Sequence, residues 1–181
     1  MDPKSDLPEN QTEGTRRFAK DQAAQAELAN SISLSAVSAE EYDAVFYPGG
    51  HGPLWDLAVN PTSISLIEKF ARSGKPVAAV CHAPAVLADV RGEDGEYLVK
   101  NKRVTGFTNS EERAVGLIEV VPFLLEDRLK DRGAFFGSGA DWQPYVQVDG
   151  KLITGQNPAS SAPAAQALLQ LLQSRTGEPL R

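Results

Sequence analysis

The residue best suited to chemistry is Cys81, the only cysteine in the 181-residue chain. It follows the short apolar segment Val77–Val80, and the residues after it read as a helix with Pro84 in the first turn. A strand, a tight turn and a helix in this order present a nucleophile at the top of a sheet. The positive end of the helix would lower the pKa of the thiol and favour nucleophilic attack. The alternative is an unreactive cysteine buried in the core.

Two histidines accompany the cysteine, and they are the only histidines in the sequence. His82 directly follows Cys81, so its imidazole can take the thiol proton or move protons within a bound substrate. The alternative for His82 is a bond to the backbone at a helix start. His51 lies in a glycine loop with Gly49 and Gly50. The N–H groups of this loop can stabilise an oxyanion near the cysteine, although glycines also suit an ordinary tight turn.

A carboxylate is the third group that this chemistry needs. Glu111 and Glu112 begin the helix predicted after the third strand, and either one can hold His82 in its useful tautomer. Acidic residues are also common in a first helical turn, and Asn109 with Glu112 resembles a capping pair. The cysteine and the two histidines match no zinc-binding spacing, so no metal site is predicted.

Short apolar segments that alternate with helical patterns position these residues. Strands are predicted at 43–47, 77–80, 103–106 and 134–137, and Asp149-Gly150 predicts a type I′ β-hairpin between 145–148 and 151–154. Helices are predicted at 15–30, 61–73, 83–89, 109–121, 122–132 and 160–174. The alternation predicts an α/β fold with a doubly wound, mostly parallel sheet and a hairpin near the C-terminus. In such sheets, function gathers at the carboxyl ends of the strands.

Composition and charge narrow the function classes. The chain carries 18 Lys and Arg against 24 Asp and Glu, a net charge of −6, which is unlike a nucleic-acid-binding protein. No stretch approaches the roughly 18 apolar residues of a membrane span, and residues 1–20 contain no secretory signal. A lone cysteine suits a reducing compartment. We therefore predict one cytoplasmic domain over residues 1–181, with no nucleic-acid or membrane partner.

Four segments in combination resemble the ThiJ/PfpI superfamily, also called the class I glutamine amidotransferase-like group. The segments are 42–52, 77–84, 104–112 and 154–160, and they occur in the family's order along nearly the whole chain. Within the superfamily, the chain is most similar to the branch of heat-shock chaperones and glutathione-independent glyoxalases. The resemblance implies a flavodoxin-like fold and a homodimer.

The resemblance also implies roles for individual residues. Cys81 would be the nucleophile and His82 its partner, with the acid at Glu112 or at the glutamate just before it. Backbone groups of Gly50 and His82 would form the oxyanion site, and Asn157 would lie at the pocket wall. The implied activity is a cysteine-dependent conversion of small 2-oxoaldehydes, such as methylglyoxal, to 2-hydroxy acids, such as D-lactate. This activity needs no glutathione, metal or other cofactor.

Other functions stay open at this level. A stress chaperone or redox sensor with little turnover would use an exposed thiol of low pKa, and an intracellular peptidase or amidase is the older family label. True glutamine amidotransferases place their histidine far downstream, and no histidine follows His82 here. Members of the branch also begin with a strand–helix–strand unit that supplies a glutamate near the cysteine. This chain is therefore expected to be N-terminally truncated, with an exposed sheet edge, and an inactive fragment is a further alternative.

Overall fold

The computed structural model describes residues 7–8 and 11–176, and the chain divides into two compact units, residues 1–37 and 38–181. The first unit contains α1 (Glu13–Lys20) and α2 (Gln22–Ala29). One helix was expected over 15–30, but Asp21 has an extended backbone and its side chain instead accepts the N–H of Ala24 as the N-cap of α2. The single domain over residues 1–181 stays a prediction.

The second unit is the α/β unit that carries the sequence motifs. Its helices are α3 (Pro61–Arg72), α4 (Asn109–Ala114), α5 (Leu125–Asp131) and α6 (Ser161–Thr176). Its strands are β1 (Val45–Tyr47), β2 (Val77–Val80), β3 (Arg103–Val104), β4 (Phe135–Phe136), β5 (Val146–Asp149) and β6 (Leu152–Gly155). The main sheet has the order β1-β2-β6-β5, in which the first three strands are parallel and β5 is antiparallel to β6. The predicted α/β class with a mostly parallel sheet and a C-terminal hairpin is confirmed.

Helices cover both faces of this sheet. Ala78 and Val80 of β2 form a buried cluster with Ile153 of β6 and Ala164 of α6. Side chains alternate along a strand, so the neighbouring residues of β2 face the other side. On that side, Tyr47 of β1 reaches α3 through a hydrogen bond between its hydroxyl and that of Ser63, at 3.1 Å. Burial on both faces explains why β2 reads as a continuous apolar run.

Several element boundaries differ from the prediction, and turn chemistry accounts for most of the differences. The helix expected over 109–121 ends at Ala114, because Gly116 adopts φ +75. Residues 83–87 form a short 3-10 helix, where a helix over 83–89 was expected. The hairpin turn is formed by Gly150 and Lys151, since Asp149 pairs with Leu152, and of these two turn residues only Gly150 has a positive φ. That is the pattern of a type II′ turn, so the type I′ prediction is wrong.

The predicted strands 103–106 and 134–137 exist only as the two-residue pair β3 and β4, which is separate from the main sheet. Within the described residues, β1 is an edge strand of the main sheet, and its Val45 and Phe46 are only partly buried. None of the described helices combines the length and apolar character that crossing a membrane requires.

Candidate active site

Cys81 occupies a sharp turn at the carboxyl end of β2. Its φ is +62, which is rare for a residue other than glycine. Two backbone hydrogen bonds hold this conformation: the Cys81 N–H donates to the carbonyl of Gly155 at 2.9 Å, and the Cys81 carbonyl accepts from Phe107 N–H at 2.8 Å. A strained residue of this kind persists only where its surroundings determine it. The turn has the backbone of a nucleophile elbow.

The glycine loop after β1 lies directly against this elbow. A Cβ built on Gly49 would be 2.6 Å from the Cβ of Cys81 and 3.2 Å from the carbonyl oxygen of Val80, so only glycine fits there without movement. Gly50 adopts φ +103, and its backbone N–H points to the sulfur together with the N–H of His82. These two N–H groups can stabilise negative charge that develops at the sulfur or beside it.

His82 links the cysteine to Glu112. The sulfur of Cys81 lies 3.3 Å from Nδ1 of His82, and the Nε2–H of His82 donates to Oε2 of Glu112 at 2.6 Å. The other carboxylate oxygen, Oε1, accepts from Nε2–H of His51 at 2.9 Å. Because Glu112 holds the proton of His82 on Nε2, the Nδ1 lone pair faces the thiol. The structure thus brings Glu112, and not Glu111, to the histidine.

The protonation states of Cys81 and His82 differ from those expected from the sequence. Burial raises the pKa of the Cys81 thiol to about 11, and the N–H groups of Gly50 and His82 oppose this effect only in part. Burial also lowers the pKa of His82 to about 4, although the hydrogen bond to Glu112 acts in the other direction. The resting pair is therefore a neutral thiol beside a neutral imidazole. The expected low thiol pKa is not found, because burial outweighs the two N–H groups and the nearby carboxylates of Glu111 and Glu112 raise the pKa further.

Glu111 forms hydrogen bonds with a different set of residues from Glu112. It is fully buried, and its carboxylate accepts hydrogen bonds from four donors. The donors are Thr108 N–H and Oγ1–H at 3.1 Å each, Trp142 N–H at 2.9 Å and Asn157 Nδ2–H at 2.8 Å. Burial tends to raise the pKa of Glu111, but these donors hold it below its ordinary value. The capping box of α4 is formed by Thr108 and Glu111, which corrects the expected pair of Asn109 and Glu112.

Aromatic rings extend the site sideways from the two histidines. The rings of His51 and His82 have centroids 3.7 Å apart, Phe107 lies 4.2 Å beyond His82, and Trp142 meets Phe107 edge to face at 5.7 Å. Sequence reasoning missed the carboxylate of Glu112 that the two histidines share. Asn157, expected at the pocket wall, contacts Glu111 and the carbonyl of Gln143.

One group of described residues has the donor atoms for a cation. His51, His82 and Glu112 each offer a ligand atom, and these atoms lie within 4.8 Å of one another. Two imidazoles and a carboxylate are a known zinc donor set. In the arrangement described here, the two Nε2–H groups already occupy both carboxylate oxygens. A metal ion would therefore have to displace both protons.

Comparison with known proteins identifies the family that this chain matches. The DJ-1/PfpI family matches residues 16–171 of the chain. The chain is 33% identical over 165 residues to the human glutamine amidotransferase-like class 1 domain-containing protein 1, covering 91% of this chain and 74% of that protein. It is also 34% identical over 155 residues to the probable glutathione-independent glyoxalase hsp3104 of Schizosaccharomyces pombe, covering 81% of this chain and 68% of that protein.

A solved structure supports the same relationship. Glyoxalase III from Candida albicans superimposes with a TM-score of 0.87 at 26% sequence identity, and the match covers 93% of this chain and 74% of that one. The resemblance stated from the four sequence segments is therefore confirmed, and the flavodoxin-like arrangement agrees with it.

Proposed function

The chain belongs to the DJ-1/PfpI family, and we propose that it converts small 2-oxoaldehydes to 2-hydroxy acids through Cys81, without glutathione. Relatives named glutathione-independent glyoxalases support an activity of this type. Cys81, His82 and Glu112 are the residues proposed to carry the reaction. The homodimer and the cytoplasmic location stay predictions.

The observation that carries the proposal is the continuous contact from thiol to carboxylate. Cys81 Sγ, His82 Nδ1, His82 Nε2 and Glu112 Oε2 follow one another with contacts of 3.3 and 2.6 Å. His82 is only 1% exposed, so water does not compete for its nitrogens. An imidazole held in this way can accept a proton at Nδ1 while the carboxylate stabilises the resulting positive charge.

In the first step, the sulfur attacks the aldehyde carbon of a 2-oxoaldehyde. Because the pKa of the thiol is raised to about 11, the thiolate is not formed in advance. The S–H proton instead passes to Nδ1 of His82 as the sulfur–carbon bond forms. The aldehyde oxygen becomes an alkoxide, which accepts hydrogen bonds from Gly50 and His82 N–H and then takes the proton. The product is a hemithioacetal on Cys81.

In the second step, His82 removes the proton from the former aldehyde carbon and returns it to the neighbouring carbonyl carbon. This isomerisation gives the thioester of a 2-hydroxy acid, with no external oxidant or reductant. Water then attacks the thioester, releasing the 2-hydroxy acid and restoring the thiol. The overall change adds one water molecule to the 2-oxoaldehyde.

The test measures methylglyoxal consumption and D-lactate formation without glutathione, with the wild-type chain and its Cys81→Ala variant. We expect D-lactate from the wild type only. A release of ammonia or amine from amide or peptide substrates, without D-lactate, would favour a hydrolase. The absence of both products from a folded wild-type chain would contradict the proposal and favour a chaperone or sensor.

A further inference from the structure

Trp142 has a conformation that core packing does not explain. It is one of three non-glycine residues with a positive φ among those described, at +64, and Cys81 is another. Its side chain is 45% exposed. A large side chain adopts this backbone only where other contacts impose it, and such residues cluster at functional sites. The positive φ of Trp142 must therefore be imposed by the hydrogen bonds that hold its backbone.

Polar side chains hold the segment around Trp142 against the active site. The Trp142 N–H donates to Oε1 of Glu111, which is itself fully buried. On either side of Trp142, Asp141 accepts from the hydroxyl of Ser110 at 2.7 Å, and the carbonyl of Gln143 accepts from Asn157 Nδ2 at 2.8 Å. Three consecutive residues are thus fixed by side chains from other segments.

These bonds leave Trp142 half-exposed beside Phe107 and near the two histidines of the active site. Trp142 packs edge to face on Phe107, whose ring lies 4.2 Å from that of His82. Because His82 contacts both the sulfur of Cys81 and the ring of Phe107, Trp142 lies two ring contacts away from the imidazole that faces the reacting sulfur. Apolar and aromatic walls of this kind set which ligands fit a pocket.

We propose that Trp142 contacts the carbon chain of the substrate and limits its size, and that Glu111 is the positioning residue for Trp142. This inference rests on the proposed function, since it names the 2-oxoaldehydes that the same site accepts. Small substituents on the carbonyl carbon fit beside the indole, and aryl substituents do not.

The first test compares methylglyoxal with phenylglyoxal in the wild type and in Trp142→Ala. The ratio of kcat/KM for phenylglyoxal over methylglyoxal should rise about tenfold in the variant, which is the scale of size discrimination in an apolar pocket. Trp55→Ala is the matched control, because Trp55 is 50% exposed. Within the described part of the chain, its ring contacts neither the two histidines nor Phe107. Its ratio should stay within about twofold of the wild type. An unchanged ratio in Trp142→Ala overturns the proposal.

A second test does not depend on turnover. Cys81 is the only cysteine, so mass spectrometry reports its alkylation directly. The alkylation rate with phenacyl bromide, relative to iodoacetamide, should rise in Trp142→Ala and not in Trp55→Ala. If the wild type consumes no methylglyoxal but this ratio shifts, the proposed function fails and the role of Trp142 stands. If methylglyoxal is consumed and neither ratio shifts, the role of Trp142 fails alone.

The positioning role of Glu111 is tested by two variants. Glu111→Gln keeps a carbonyl oxygen for Trp142 and Asn157, so its size ratios should stay near those of the wild type. Glu111→Ala removes both bonds, so its ratios should move in the direction of Trp142→Ala. A purely structural role would lower both rates equally and leave the ratios unchanged. Because Glu111 is fully buried, thermal unfolding is measured to show that each variant is folded. If Glu111→Ala is folded and its size ratios equal those of the wild type, the positioning role of Glu111 is contradicted.

Discussion

Replacing Gly49 by alanine tests the close approach that shapes the cysteine turn. The added methyl carbon would lie 2.6 Å from Cβ of Cys81 and 3.4 Å from its sulfur. Ordinary carbon–carbon contact distances are about 3.5–4.0 Å, so the loop after β1 and the cysteine have to separate by roughly 1 Å. Neither neighbour is the far end of a flexible side chain, because the nearest atoms are a Cβ and the carbonyl oxygen of Val80.

The expected effect follows from this displacement. A shift of about 1 Å at a reacting group costs roughly 10²-fold in rate, and overpacking of a filled site costs about 1–3 kcal/mol of stability. The N–H of Gly50 moves with the loop, so it loses its alignment with the sulfur. We expect kcat/KM for methylglyoxal to fall about 10²-fold and the iodoacetamide reaction at Cys81 to slow.

Gly52→Ala is the matched control, because it adds the same methyl group to the same loop. A Cβ on Gly52 meets no atom within 4 Å, and its φ is not positive. The assays are methylglyoxal consumption, alkylation of Cys81 and thermal unfolding, each applied to both variants. If Gly49→Ala matches Gly52→Ala in all three, the close approach does not constrain the cysteine and the reasoning is refuted.

Two further predictions concern the protonation of the site. Glu112→Gln should lower kcat for methylglyoxal by about 10²–10⁴-fold while leaving the chain folded, because the amide can accept only one of the two imidazole N–H bonds; a kcat equal to that of the wild type would show that Glu112 has no part in the reaction. The rate at which iodoacetamide alkylates Cys81 should rise about tenfold per pH unit and level off only near pH 11, because burial raises the pKa of the thiol to about 11. A plateau near neutral pH would instead indicate the preformed thiolate that a redox sensor requires.

Local patterns were enough to predict the elements that carry the site. The apolar segment Val77–Val80 became β2, and Asn60 caps α3 through two N–H bonds from the helix's first turn. The hairpin signal at Asp149-Gly150 located β5 and β6 correctly, although the turn lies one residue further on. These features depend on residues close together in the chain, so they can be read from sequence. The family followed from the same segments.

Choosing between Glu111 and Glu112 required the tertiary structure. Consecutive residues on a helix point about 100° apart, so which one reaches His82 depends on how α4 is oriented relative to the turn that carries Cys81 and His82. In the structure, Glu112 bonds both histidines, and Glu111 bonds Trp142 and Asn157. All four partners are distant from α4 in sequence, and no local pattern specifies them.

For Cys81, too, its position could be predicted from sequence, whereas its protonation depended on the tertiary structure. Sequence by itself determined that a lone cysteine and an adjacent histidine lie at the carboxyl end of a buried strand, because hydrophobic patterning and turn residues are local properties. Only the tertiary structure decided the protonation of Cys81 and His82. Burial disfavours both charged forms, and burial is the sum of contacts from segments far apart in the chain. A pKa depends on that sum, so it does not follow from the order of residues alone.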